Sequence, residues 1–222
     1  LIAMVEQHEG PDAAAIAAHW LERQPEGFTV YRNQQQAPEG FMLTLTLSKT
    51  SPEDRAADPA ARQAWAWLHA HAPLRPGENA SLFRFWMARD TYQDVSPVQS
   101  LIFLSRVRHY LNTPGLAYTF LTCRKPALWV PVFLYAGMTR LEAIDYETGE
   151  KAYAVFGHDW RAIPPTAWLD GLAARSLDGL PDAPPEPWPT PVVVLSRPQF
   201  EVAVRDAFRA YARPSMLHDN PL

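Results

Sequence analysis

The sequence predicts a mixed α/β (α+β) fold whose sheet is largely antiparallel. The main observation is that strand pairs joined by short turns outnumber strands joined through a helix. The stretch "GFMLTLTLSK" alternates apolar and polar residues from Phe41 to Leu47, and a glutamine-rich turn separates it from the alternating stretch "FTVYRNQ". A hydrophobic content of 47% supplies enough apolar surface for one substantial core.

Helices are predicted where an N-cap residue or a proline precedes an apolar run. Asp58 followed by Pro59 opens one helix, and Ser96 followed by Pro97 opens another, with Gln99 at capping-box spacing. The second of these carries apolar residues on most sides, which is typical of a well-buried helix. The predicted helices are residues 11–23, the segment "AARQAWAWLHAHA" after Pro59, the segment "SLIFLSRVRHYL", a short proline-containing helix that ends at Gly137, and "PPTAWLDGLAARSL".

Three further strand regions are predicted after the first hairpin. "ASLFRFWMARDTY" and "LAYTFLT" are apolar and rich in strand-forming residues. The segment 141–161 is a second hairpin that turns at Thr148-Gly149.

The chain divides into a main domain at 1–178, a linker at 179–191 and a C-terminal strand and helix at 192–222. The linker contains six prolines, which stiffen it. The C-terminal helix, at about 198–212, carries an apolar stripe that we expect to pack on this chain rather than on a partner protein. The sequence does not begin with methionine. We therefore expect a piece of a longer bacterial polypeptide, whose other domains are the first expected partners.

Charge and cysteine content narrow the function classes. A net charge of -4 and a pI near 6 give no general attraction to nucleic acid or to an anionic membrane. No apolar run approaches the ~20 residues that cross a bilayer. With one cysteine, Cys123, no internal disulfide can form, and a reducing cytoplasm is the expected location.

The reactive residue types give no metal or nucleophile signature. His69 and His71 are two positions apart on a predicted helix and point in different directions, so no metal is expected. Cys123 is interpreted as a buried, inert thiol. Arg106, Arg108 and His109 are interpreted as the solvated face of their helix rather than as a nucleic-acid patch. A Walker loop, a dinucleotide fingerprint and a nucleophile elbow are all missing from the sequence.

The loop before the helix at Pro97 carries a family resemblance. Residues 93–98, "QDVSPV", follow a strand and open a helix. Together with the element order of residues 11–161, this resembles the GNAT acetyltransferases, in which a Gln/Arg-x-x-Gly-x-Gly/Ala loop holds the pyrophosphate of acyl-CoA. Here Gln93 is in place, but Ser96 and Val98 occupy the glycine positions, and Pro97 has no N–H to donate.

A second motif of that family matches at residues 133–138, "FLYAGM". The glycine is retained, whereas Phe133 stands where the family tyrosine would protonate the leaving thiolate, and Tyr135 lies two positions away. The resemblance implies acetyl-CoA or another acyl-CoA as cofactor. It implies pyrophosphate contacts from Gln93, Ser96, Val98, Gln99 and Ser100, Tyr135 as a displaced acid, and Asp90 or Asp94 as a base.

Two functions follow from this resemblance. The first is a degenerate GNAT-like module that senses a ligand or binds a partner with weak or no catalysis. The second is an N-acyltransferase that moves an acyl group from acyl-CoA to an amine. An enzyme requires an open cleft between the strands at 82–90 and 116–122. A degenerate module has that cleft filled by side chains such as Phe85, Phe103 or Phe133. Trp86 and Trp129 lie near the same cleft, where core packing is favoured over a ligand pocket.

Overall fold

The computed structural model describes residues 1–177, so the predicted linker and the C-terminal strand and helix lie outside the described residues. The mixed α/β class is confirmed: one seven-stranded, mostly antiparallel sheet is flanked by helices on both faces. The helices are α1 (Ile2–Glu9), α2 (Pro11–Arg23), α3 (Pro52–Ala57), α4 (Pro59–His71), α5 (Pro97–Asn112), α6 (Pro126–Tyr135) and α7 (Pro165–Leu177).

Both predicted hairpins are confirmed, and one parallel strand pair lies between them. Along the sheet the strands follow the order β1, β2, β3, β4, β7, β5, with β6 paired to β7. The pair β3–β4 is parallel and is connected by α5, whereas the other pairs are antiparallel. The strands are β1 (Phe28–Arg32), β2 (Pro38–Thr46), β3 (Asn79–Ala88), β4 (Leu116–Cys123), β5 (Thr139–Arg140), β6 (Tyr146–Thr148) and β7 (Lys151–Asp159).

A bulge in β3 decides which way its arginine points. Phe83 pairs with Thr44 and Phe85 pairs with Leu43, so Arg84 is an extra residue opposite β2. A bulge breaks the strict alternation of side chains. Arg84 therefore joins Phe85 on the same side of the sheet, with its guanidinium carbon 4.1 Å from the centre of that ring.

The sheet separates two hydrophobic cores. One face packs against α1, α2 and α4, with Trp20, Phe41 and Leu68 almost fully buried. The other face packs against α5, α6 and α7 and is dominated by aromatic rings. Trp160 and Trp168 belong to this second core, and their indole N–H groups donate to Thr119 Oγ1 (2.7 Å) and the Ala136 carbonyl (2.6 Å), respectively.

Several sequence predictions need correction. The strand predicted through Tyr92 ends at Ala88, because the chain turns at Arg89 and Asp90, and Tyr92 itself has a left-handed backbone with φ of 55°. The chain also forms a helix before residue 11, α1, which the sequence did not predict. Helix α5 is not buried on most sides: four of its apolar residues are exposed, namely Leu101, Phe103, Leu104 and Leu111.

The solvated face predicted for the basic residues of α5 is also wrong for two of the three. Arg106 is 5% exposed, and His109 is half-buried with its ring nitrogen Nε2 2.8 Å from Ser81 Oγ. Burial lowers the pKa of His109 to about 4. Only Arg108 faces solvent.

Two further properties concern residues 1–177 as a whole. No helix in this part of the chain is long and apolar enough to cross a membrane. Within the same residues, no three side chains of histidine, cysteine, aspartate or glutamate lie together as a metal site would require.

Candidate functional site

The parallel strands β3 and β4 part toward their C-terminal ends, and we call this opening the fork. The last register pair of the two strands is Phe83 with Leu121. Beyond it the contacts run through side chains: Thr122 Oγ1 donates to the Arg84 carbonyl (2.9 Å), and Trp86 Nε1 donates to the Thr122 carbonyl (2.6 Å). The fork corresponds to the cleft between the strands at 82–90 and 116–122 that an enzyme would require to be open.

Gln93 occupies the fork in this chain. Its side chain is 2% exposed, and its amide links the two strand ends. Oε1 accepts from the Arg124 backbone N–H (3.2 Å), while Nε2 makes a long contact with the Trp86 carbonyl (3.5 Å). Gln93 therefore replaces the missing backbone ladder with a side-chain bridge.

Aromatic rings close the fork on the face covered by α5 and α6. The ring centres of Trp86 and Trp129 are 5.3 Å apart, and Trp129 stacks on Phe133 at 5.5 Å. The indole of Trp129 also donates to the Gln93 carbonyl (2.9 Å). Of the three residues expected to fill the cleft, Phe133 does so. The expectation is wrong for Phe85, which lies in the opposite core, and for Phe103, which is 39% exposed.

Arg106 of α5 lies directly beneath these rings. Its guanidinium carbon is 4.4 Å from the centre of the Trp86 ring and 5.9 Å from that of Phe133. Its Nε and Nη2 atoms are buried and have no hydrogen-bond partner. Burial lowers the pKa of Arg106 to about 10, so the side chain still carries its charge at neutral pH.

A narrow cavity of ≈ 20 Å³ adjoins Arg106. This volume holds about one water molecule. The walls are almost entirely apolar and come from α5, α6, β7 and α7; they include Phe103, Tyr110, Phe133, Met138, Trp160 and Trp168.

A second buried arginine lies on the opposite face of the sheet. Arg84 Nε donates to both carboxylate oxygens of Asp58 at 3.0 Å. Asp58 also caps α4 through the Ala60 N–H (3.0 Å) and accepts from Trp20 Nε1 (2.8 Å). Burial lowers the pKa of Arg84, but the attraction of Asp58 outweighs it, and the net pKa is raised.

The end of α1 bridges the mouth of the fork on this face. The His8 carbonyl accepts from Arg124 Nη1 (3.2 Å), and the His8 ring contacts the Arg89 carbonyl (2.7 Å), so one residue touches the chain just past both strands. Beside it, the buried Glu9 carboxyl accepts from Tyr92 (3.0 Å) and Tyr153 (2.7 Å). Burial raises the pKa of Glu9, and the nearby Arg84 opposes that shift.

The predicted pyrophosphate loop is built as a helix start. Ser96 Oγ accepts from the Gln99 N–H (3.3 Å), which confirms the predicted N-cap of α5. The Gln99 side chain turns away and donates to the Tyr92 carbonyl (2.8 Å). Val98 fills the space over Gly40, where an added Cβ would lie 2.6 Å from Val98 Cγ1. Ser100 is exposed on the first turn.

The predicted catalytic residues lie around the fork without converging. Asp90 is exposed and contacts Arg89 (3.2 Å), and Asp94 is exposed and pairs with Lys125 (2.7 Å). Tyr135 is half-buried at the end of α6. Cys123 is fully buried, and burial raises the pKa of its thiol to about 12, which agrees with an inert residue.

Sequence reasoning missed Glu9 and the roles of Arg84 and Arg106. One signal was available for Arg106: it shares helical spacing with Gln99, Ile102 and Tyr110, the other buried residues of α5. Glu9 and Arg84 gave no comparable signal, because their partners are distant in sequence.

The element order and the forked sheet agree with the GNAT-like fold that the sequence resemblance implies. No family model matches the sequence, and no curated protein does. Among solved structures, the chain is similar to FeeM, an N-acyl amino acid synthase from uncultured soil microbes. The two are 14% identical, with a TM-score of 0.47, over 76% of this chain and 87% of FeeM.

Proposed function

We propose that this chain is a ligand-sensing module with a GNAT-like fold and weak or no acyl transfer, working as a part of a longer bacterial protein. The observation that carries the proposal is the filled fork. Gln93 and Trp86 occupy the opening where an acyl-CoA would have to pass.

Opening the fork has a cost that an enzyme would have to recover from cofactor binding. The Gln93 bridge and the Trp86 bond would be lost, and each hydrogen bond contributes about 0.5–1.5 kcal/mol. The paired rings of Trp86 and Trp129 would also separate, at about 0.5–1.5 kcal/mol. Together these terms weaken cofactor binding by more than tenfold relative to an open fork, since about 1.4 kcal/mol corresponds to a factor of ten.

The start of α5 supports the same conclusion. An anion at a helix N-terminus is held by free backbone N–H groups. Here Ser96 engages the Gln99 N–H, and Pro97 contributes no N–H. The Val98 side chain packs against Gly40. A glycine at position 98 would let a pyrophosphate approach the backbone closely, but it would leave a gap at this contact.

Isothermal titration of the whole chain with acetyl-CoA and with free CoA tests the proposal. We expect no saturation at about 1 mM cofactor. Micromolar binding that Val98→Glu weakens would contradict the proposal. Val95→Glu is the matched control, because Val95 precedes the helix and is 80% exposed.

An N-acyltransferase is the second candidate, and Glu9 is the observation that favours it. A buried carboxyl with a raised pKa, placed where α1 bridges the strand ends, is suited to accept a proton from an attacking amine. Acyl transfer from acetyl-CoA to a panel of amines tests this candidate. Turnover that falls about 100-fold or more in Glu9→Gln, with Glu6→Gln unchanged, would favour the enzyme over the module. Glu6 is exposed on the same helix.

A further inference from the structure

Arg106 is a buried cation that the described chain leaves unpaired. Its side chain is 5% exposed, and none of the ion pairs among residues 1–177 involves it. The contacts it makes are with the faces of Trp86, Phe83 and Phe133, at 4.4, 5.6 and 5.9 Å from the ring centres. Ring faces attract a cation, but they accept no hydrogen bond from its remaining N–H groups.

Arg84 is a second buried arginine in the same chain, and its surroundings can be compared with those of Arg106. Arg84 is equally buried, and although its Nη1 and Nη2 also lack hydrogen-bond partners, Asp58 meets its Nε with both carboxylate oxygens and supplies a counter-charge. A buried charge is normally paired in this way, because leaving water without a counter-charge is costly. An unpaired charge such as Arg106 calls for a partner from outside the described residues.

The geometry of the unpaired atoms indicates which partner. Nε and Nη2 lie on one edge of the guanidinium plane, and both lack acceptors. Two parallel N–H groups on one edge match the two oxygens of a carboxylate. Tyr110 and His158 line the same cavity, but among the described residues Arg106 is the one arginine or lysine that lines it, so a singly charged head fits the site better than a phosphate.

The cavity beside Arg106 indicates the rest of the ligand. Its ≈ 20 Å³ accommodate only a small head group, and its walls are rings and aliphatic side chains, including Tyr110, Phe133, Trp160 and Trp168. Phe103 lines the same cavity and is 39% exposed, so the apolar wall continues to the surface. A ligand with a carboxylate head and an apolar body would be matched along this whole path.

We propose that Arg106 and this cavity bind the carboxylate of an apolar monocarboxylic acid, which enters between α5, α6 and α7. This inference rests on the ligand-sensing function proposed above and names its ligand class. Binding would seat the carboxylate on Nε and Nη2, and the apolar body would lie outward along Phe103, because the cavity itself holds only the head group. The acid would thus supply to Arg106 the counter-charge that Asp58 supplies to Arg84.

Titration of the whole chain with octanoate and phenylacetate, followed by tryptophan fluorescence and calorimetry, tests the proposal. Trp86, Trp160 and Trp168 lie around the site and report its occupancy. We expect saturable binding of the acids, and binding of octanamide and phenylacetamide weaker by about tenfold or more, because the amides lose the charge-assisted pair. Equal affinity for acid and amide would overturn the proposal.

Variants of Arg106 separate charge from shape. Arg106→Met should lower acid affinity by about tenfold or more. The acid affinity of Arg106→Lys should lie between those of the wild type and Arg106→Met, because lysine keeps the charge but not the pair of parallel N–H groups. Arg108→Met is the matched control on the exposed side of the same helix and should bind as the wild type does. Unchanged affinity in Arg106→Met would overturn the proposal. A rise in the melting temperature of the wild type with octanoate, but not with octanamide, provides the test if a variant fails to fold.

Two further outcomes are informative. Saturation by chloride or phosphate, with no gain from an apolar body, would overturn the acid in favour of a small inorganic anion. The CoA titration is independent of these measurements. CoA binding together with Arg106-dependent acid binding would reject the filled-fork argument and keep the acid site. No CoA binding and no acid binding would keep the filled-fork argument and reject the acid site.

Discussion

The sheet buries one arginine on each face, and the two surroundings differ. Arg84, turned by the bulge in β3, meets Asp58 at 3.0 Å within a network that includes Glu9. Among residues 1–177, Arg106 on α5 meets ring faces and a narrow cavity but no carboxylate. On the first face, the carboxylate of Asp58 supplies a counter-charge to the buried Arg84. On the second face, no group within residues 1–177 does so for Arg106, and the proposed acid would supply the missing counter-charge.

The largest effect is expected from breaking the compensated pair. Arg84→Met would leave the Asp58 carboxylate buried without its counter-charge, which costs about 3–5 kcal/mol of unfolding free energy. Urea unfolding measures this loss, with Arg62→Met on the exposed side of α4 as the control. A loss below about 1 kcal/mol, the range of exposed pairs, would show that the Arg84 network contributes little.

The next effect is a pH dependence of stability that arises from Glu9, on the same face of the sheet as Arg84. Because the pKa of Glu9 is raised in the folded chain, the folded state holds a proton that the unfolded state releases above about pH 4.3. Stability should therefore fall with rising pH up to the folded pKa, by at most about 1.4 kcal/mol per pH unit.

Glu9→Gln removes this proton and should flatten the dependence. Chemical unfolding of the wild type and the variant at a series of pH values from 4 to 8 measures the difference between them. A constant difference across that range would contradict a raised pKa. Glu6→Gln, on the exposed side of α1, should follow the wild type.

Replacing Arg106 should change stability less than replacing Arg84, and it should not lower stability. Burying a polar group without a hydrogen bond costs about 1–3 kcal/mol, and a cation over a ring recovers about 0.5–2 kcal/mol. Arg106→Met should therefore leave stability unchanged or raise it by about 1 kcal/mol. A loss as large as that of Arg84→Met would remove the distinction between the two faces.

The smallest effect concerns the helix that carries Arg106. Ser96→Ala removes the N-cap of α5, whose hydrogen bond to the Gln99 N–H is long at 3.3 Å, so we expect a loss of about 0.5–1 kcal/mol. Thermal unfolding measures it, with Ser100→Ala as the exposed control on the same turn. A gain in CoA affinity in Ser96→Ala would indicate that the cap competes with an anion for the same N–H groups.

Local features of the chain were predictable because their causes are local. Asp58-Pro59 and Ser96-Pro97 start helices with bonds that span two or three residues. Thr148-Gly149 turns a hairpin between adjacent strands, with Gly149 at a φ of 57°. The helix α1 was missed because it lacks a capping side chain and has only a weak apolar face.

The candidate site was less predictable, because its residues meet across the fold. Glu9 and Tyr153 are 144 positions apart, and Gln93 meets Arg124 across 31. Arg106 was placed on a solvated face because charged side chains are rarely buried, and only the packing of α6 and α7 over α5 overrides that rule.

Apart from α1, α3 and β5, the sequence by itself determined the element order, the two hairpins and the helix starts at Pro59 and Pro97, since alternation, capping and turn chemistry act between near neighbours. Only the tertiary structure decided that Gln93 fills the fork, that Arg84 receives a counter-charge and that Arg106 does not. The physical reason is that burial and charge pairing depend on which distant surfaces meet, and the free energy of a charged side chain is set by those neighbours rather than by its own segment.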